Sequence, residues 1–89
     1  MNVKRTKNSV LNDIKVYSEL ALYFEMKMGH TEDWQYSQRQ MLLNERNRDK
    51  CEEEALRMGI SESAIEDAKS KGRNFALEIA EECETEGWE

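Results

Sequence analysis

No proline occurs in the chain, and its glycines stand at only four positions, Gly29, Gly59, Gly72 and Gly87. Proline removes a backbone donor and clashes with the preceding helical turn, and glycine weakens a helix interior by about 1 kcal/mol. Long stretches free of both favour helices. The apolar spacing agrees. Val10, Ile14, Tyr17, Ala21, Phe24 and Met28 recur at alternating intervals of four and three, one stripe of an amphipathic helix that Leu11 and Leu20 widen. With Asn8 or Ser9 as N-cap and Gly29 as stop, this predicts a helix over about 9–28. Thr31 followed by Glu32 and Asp33 places a capping hydroxyl and two acids at a helix start. Nothing interrupts the chain from there to Gly59, so the second helix is predicted over about 32–58, roughly 40 Å long at about 1.5 Å per residue. A third, over about 62–86, starts at Ser61 or at the Ser63/Glu66 capping-box pair. It carries the stripe Ile65, Ala68, Gly72, Phe75, Ile79 and Cys83 and ends at Gly87.

The fold class is therefore all-α. The Gly59-Ile60 connection is too short for anything except an antiparallel hairpin of helices 2 and 3. Helix 1 packs across that hairpin or against a second subunit. Eighty-nine residues make a single small helical domain, 1–89, with a short basic N-terminal arm, 1–8, and an acidic C-terminal tail, 84–89. Apolar residues reach 38% and charged residues 36%, so the core is thin. A long second helix on a thin core predicts a homo-oligomer, a dimer first of all.

Several classes are disfavoured. No apolar run approaches the roughly 20 residues that span a bilayer, and the basic N-terminus leads into an amphipathic stretch rather than a signal-peptide apolar region. Cys51 and Cys83 imply no disulfide framework; opposite different levels of the hairpin, they should stay free. A cytoplasmic protein follows as the expectation. With His30 the only histidine, and no C-x-x-C, H-E-x-x-H, P-loop or G-x-G-x-x-G motif, no catalytic residue, metal ligand or cofactor is expected, and the chain reads as no enzyme.

Charge is unevenly spread. Residues 1–30 sum to +2, residues 31–58 to −2 and residues 59–89 to −6. The glutamates from Glu78 onward could imitate a nucleic-acid backbone, but the positive first third argues against it. Like charges at the negative end of a helix dipole cost stability, which favours a basic partner for them, such as Lys4-Arg5-Lys7 of another copy. Helix 2 is apolar near both ends of its stripe (Ser37, Met41, Asn44, Arg48, Cys51, Ala55, Met58) and polar in the middle. Folding the hairpin about residue 60 sets Arg48 opposite Gly72, so Arg46, Arg48 and Lys50 share a level with Lys69, Lys71 and Arg73. This basic waist is a candidate anion site, with Arg48 as bidentate donor and Gly72 leaving room beside it. Solvated charges paired along the helices are the plainer reading. Trp34, Tyr36 and Trp88 are candidate partner anchors, although packing is the default role for Trp34 and Phe24 in so small a core. Trp88 either docks on the domain or meets a partner.

These features describe a small acidic helical interaction protein, an inhibitor or modulator that binds a larger macromolecular partner, most naturally a protein. In style it resembles the short, acidic, helix-rich accessory proteins of phages and plasmids. The alternative is an oligomeric binder of a phosphorylated small ligand or nucleic acid through the basic waist.

Overall fold

The computed structural model describes residues 5–88. They form α1 (Lys7–Lys27), a 3-10 turn (Met28–His30), α2 (Trp34–Arg57) and α3 (Glu62–Glu86). This is the expected all-α arrangement: α2 and α3 make an antiparallel hairpin, and α1 packs against both. The helix ends differ in instructive ways. Thr6 caps α1 by accepting from the Ser9 N–H at 3.0 Å, so the helix starts ahead of Ser9 and takes in Lys7 and Asn8, the last two residues of the basic arm. Residues 1–4 of that arm lie outside the described residues, as does Glu89 of the tail. At α2, Thr31 Oγ1 accepts from the Asp33 N–H and Asp33 in turn accepts from the Tyr36 N–H, which delays the helix to Trp34. Ser61, rather than Ser63, caps α3. Gly29 does not end α1 in a left-handed turn; the helix tightens to 3-10 geometry instead.

Gly59 does adopt a left-handed conformation, with φ of 80°. The Ile60 N–H reaches back to the Ala55 carbonyl at 3.0 Å and the Gly59 N–H to Leu56 at 3.1 Å, the paired bonds of a Schellman motif. The motif buries Ile60 beside Ala55 and turns the chain directly into α3.

Most of what α2 and α3 each touch is α1. At the turn end, Val10 and Ile14 of α1 join Cys51, Ala55, Ile60, Ile65 and Ala68 in one apolar cluster. Arg5 straps this end by pairing with both Asp13 and Glu54. Lys69 Nζ meets Glu52 at 2.8 Å, a direct link between α2 and α3 in the register expected from folding about residue 60.

Along α3 the buried residues are Ile65, Ala68, Gly72, Ala76 and Ala80. Phe75, expected in that stripe, is 45% exposed, with Lys15 Nζ 4.7 Å over its ring. The seam follows four-residue steps of small side chains because the α1 backbone comes very close. A methyl group on Gly72 would press on the Lys15 carbonyl oxygen and lie 3.0 Å from both the Glu19 nitrogen and Ser18 Cβ. Gly72 therefore serves helix packing and leaves no room for a ligand at its own position.

The three helices hold 21, 24 and 25 residues and run along a body 41 Å long. Helix 2 is thus matched by its neighbours, and its length alone gives no motive for a second subunit. Away from the turn the interior becomes polar at Ser18, Asn44 and Ser37.

Candidate interaction surfaces

The basic waist separates into different surroundings. Lys69 is tied to Glu52 and Glu66, and Lys71 pairs with Asp67 at 3.0 Å. Arg46 and Lys50 project outward on α2, opposite its buried residues Ser37, Asn44, Cys51 and Ala55. Arg48 and Arg73 are the pair that the structure brings to one cleft, as the shared level predicted.

The outer face of α2 is the more extensive feature. Tyr36, Arg39, Leu43, Arg46 and Lys50 follow one another at spacings of three and four, with Leu42 alongside. Leu42 is 52% and Leu43 47% exposed. With Arg39, Gln40 and Arg46 these leucines line a shallow groove of about 410 Å³. Among the described residues, Arg39, Arg46 and Lys50 enter no ion pair. Leu42 and Leu43 thus stand outside the buried residues of α2, Ser37, Asn44, Cys51 and Ala55, and beside arginines that enter no ion pair among the described residues. Apolar residues bordered by Arg are what protein interfaces use. Sequence patterning missed Arg39, Leu42 and Leu43, although the apolar pair at positions off the buried stripe was the available signal.

The cleft holding Arg48 and Arg73 measures about 250 Å³. Its floor is α1, from Ser18 and Ala21 to Glu25, and Glu45 adds a second carboxylate from α2. The Ser18 hydroxyl and the Arg48 Nε are buried with no hydrogen-bond partner. Arg48 reaches only its neighbour Asp49, at 3.4 Å, and Arg73 enters no ion pair among the described residues.

The far end of the bundle is aromatic. Trp88 docks on the domain, stacked on His30 with ring centres 4.7 Å apart and planes 3° from parallel, and tilted against Tyr23 at 6.1 Å. Phe24 bridges Tyr23 and Tyr36 edge-on. Trp34, a candidate partner anchor whose default role was packing, lies 48% exposed at the first residue of α2. Glu78, Glu81, Glu82 and Glu86 share an exposed groove on α3.

Both thiols are free: Cys51 is buried and Cys83 half-buried. Burial pushes the Cys51 thiol above its ordinary pKa, and Arg5 partly opposes this. Among the described residues no group of three or more His, Cys, Asp and Glu could hold a metal ion, and no helix is long and apolar enough to cross a membrane. Comparison with protein-family models, curated proteins and solved structures finds no match.

Proposed function

We propose that this chain is an interaction protein that docks the outer face of α2 on a larger, acidic protein partner and acts as an inhibitor or modulator of it. The observation that carries this reading is the pairing of half-exposed Leu42 and Leu43 with unpaired Arg39 and Arg46. Burying the two leucines supplies affinity through apolar area. The arginines select an acidic surface and speed encounter with it. Tyr36 and Lys50, both expected as contact residues, extend the same face; the remaining basic waist residues and Trp88 do not belong to it. A phosphate or nucleic-acid reading has less support, because the waist cations are spread over separate surfaces or already paired.

A photo-reactive residue at position 43 tests the reading in cells of the native host. It should give one dominant cross-linked partner, lost in the Arg39→Glu/Arg46→Glu variant and absent with the same probe at exposed Ser63 on α3. Equal adducts from positions 43 and 63, or a cross-link indifferent to the double charge reversal, would refute it.

A further inference from the structure

The geometry points to a second binding site, independent of the α2 outer face: the cleft between α2 and α3 takes a small zwitterion, its carboxylate held by Arg48, Arg73 and Ser18 and its ammonium by Glu25 and Glu45. The first support is convergence. Arg48 comes from α2, Arg73 from α3 and Ser18 from α1, yet all three line one cleft. Ser18 is 2% exposed, and its hydroxyl has no partner inside the protein. The Arg48 Nε is likewise buried without one. Three donors thus surround a space with no acceptor bound to any of them except Asp49, 3.4 Å from Arg48. A guanidinium offers a fork that matches the two oxygens of a carboxylate.

The second support is polarity along the cleft. Glu25 lies seven residues beyond Ser18 on α1, about 10 Å at the helical rise. Glu45 lies three residues before Arg48 on α2, about 4.5 Å away along the axis. Because α1 and α2 run antiparallel, both displacements point toward the same end of the bundle. The cleft is therefore cationic at one end and anionic at the other, with Ala21 and Leu22 between. A dianion such as phosphate would meet the carboxylates as well as the arginines. A molecule with opposite charges at its two ends satisfies both. At about 250 Å³ the space lies below the usual range for drug-sized ligands and suits an amino-acid-sized one.

Titration of the isotopically labelled full chain, followed by backbone amide shifts, separates the possibilities. The probes are ε-aminocaproate, glycine, acetate, butylamine and inorganic phosphate. ε-Aminocaproate, whose charges are well separated, should move the resonances around Ser18, Arg48 and Arg73. It should bind about tenfold or more tightly than acetate or butylamine. Arg73→Gln and Glu45→Gln, both on accessible side chains, should each remove that advantage while leaving the melting temperature near that of the parent. Ser18→Ala should weaken binding of the carboxylate-bearing probes only. The assignment is overturned by any of three results. The first is that ε-aminocaproate leaves the Ser18 region unmoved, because Arg48 and Arg73 close onto Glu25 and Glu45; the second, that it binds no better than acetate or phosphate; the third, that its binding survives Arg73→Gln and Glu45→Gln unchanged.

Discussion

Replacing Gly72 by alanine should destabilise this protein although alanine is the better helix former. Within α3 alone, the change would gain about 1 kcal/mol of helix propensity. The added methyl, however, would fall on the Lys15 carbonyl oxygen and crowd the Glu19 nitrogen and Ser18 Cβ at 3.0 Å. Two of these three neighbours are backbone atoms, so no side-chain rotation relieves the contact. The helices must part by on the order of 1 Å, a gap that forfeits a quarter to a half of the dispersion well at each contact it opens. Overpacking of this kind costs about 1–3 kcal/mol, and the immobility of the neighbours sets it at or beyond the upper end. The net loss is then about 2 kcal/mol. At about 4–8 °C per kcal/mol for a domain of this size, the melting temperature should fall by roughly 8–16 °C. Thermal unfolding followed by circular dichroism measures this, with Gly29→Ala as control. Gly29 has open space around it and no left-handed backbone, so its replacement should leave the melt unchanged or slightly raised. If Gly72→Ala melts at or above the parent temperature, the close approach of α1 and α3 is refuted.

Other expectations are independent of that seam. Ser61→Ala removes the cap on the Ala64 N–H and should cost about 1 kcal/mol in a urea titration, whereas Ser63→Ala should cost far less. A thiol reagent should modify half-buried Cys83 readily and buried Cys51 only on a timescale set by opening of the domain. Because burial raises the Cys51 pKa in the folded state, the neutral thiol's contribution to stability is complete below the ordinary thiol value of about 8.5. It declines as pH rises through the higher folded value, and Cys51→Ala should flatten that decline in melts taken across the alkaline range. Iodide should quench the emission of Trp34 in a Trp88→Phe variant strongly, and that of Trp88 in a Trp34→Phe variant weakly; equal quenching would contradict the stack on His30.

Much of the fold was legible because the relevant signals are local. Glycines at 59 and 87 and the periodic stripes located the helices and the hairpin, and folding about residue 60 set Arg73 at the level of Arg48, with which it shares a cleft. What stayed hidden depended on the third dimension. The stripe on α3 could continue through Phe75 or through Ala76, and nothing local distinguishes them; the nearness of the Lys15 carbonyl decides for small residues. The starts of α1 and α2 shifted for a similar reason, since Thr6 and Asp33 each had a rival capping residue within three positions. The candidate surfaces were half visible. Levels along a helix follow from counting, so Arg48 and Arg73 could be paired in advance. Outward and inward directions depend on which neighbour a helix meets, so Arg46 and Lys50 were grouped with residues whose surroundings they do not share. Leu42 and Leu43 were overlooked because a half-exposed leucine is informative only once the core is known to exclude it.

The position of α1 between its two neighbours also bears on how the chain reaches its structure. The hairpin of α2 and α3 is the most local part of the topology, but each of its helices finds most of its contacts on α1. The contacts between α1 and α3 join residues far apart in sequence, as Lys15 and Gly72 do. Closing so long a loop must precede the reward, and non-local contacts of this kind slow folding relative to bundles assembled from sequential neighbours. The Schellman turn and the caps can form early, yet they hold little until residues on α1 arrive to fill the groove. Folding should therefore be a single late event, with a transition state that already contains the small-residue seam: mutations at Ala68, Gly72 and Ala76 would slow folding, and those in the Trp88 stack would chiefly speed unfolding.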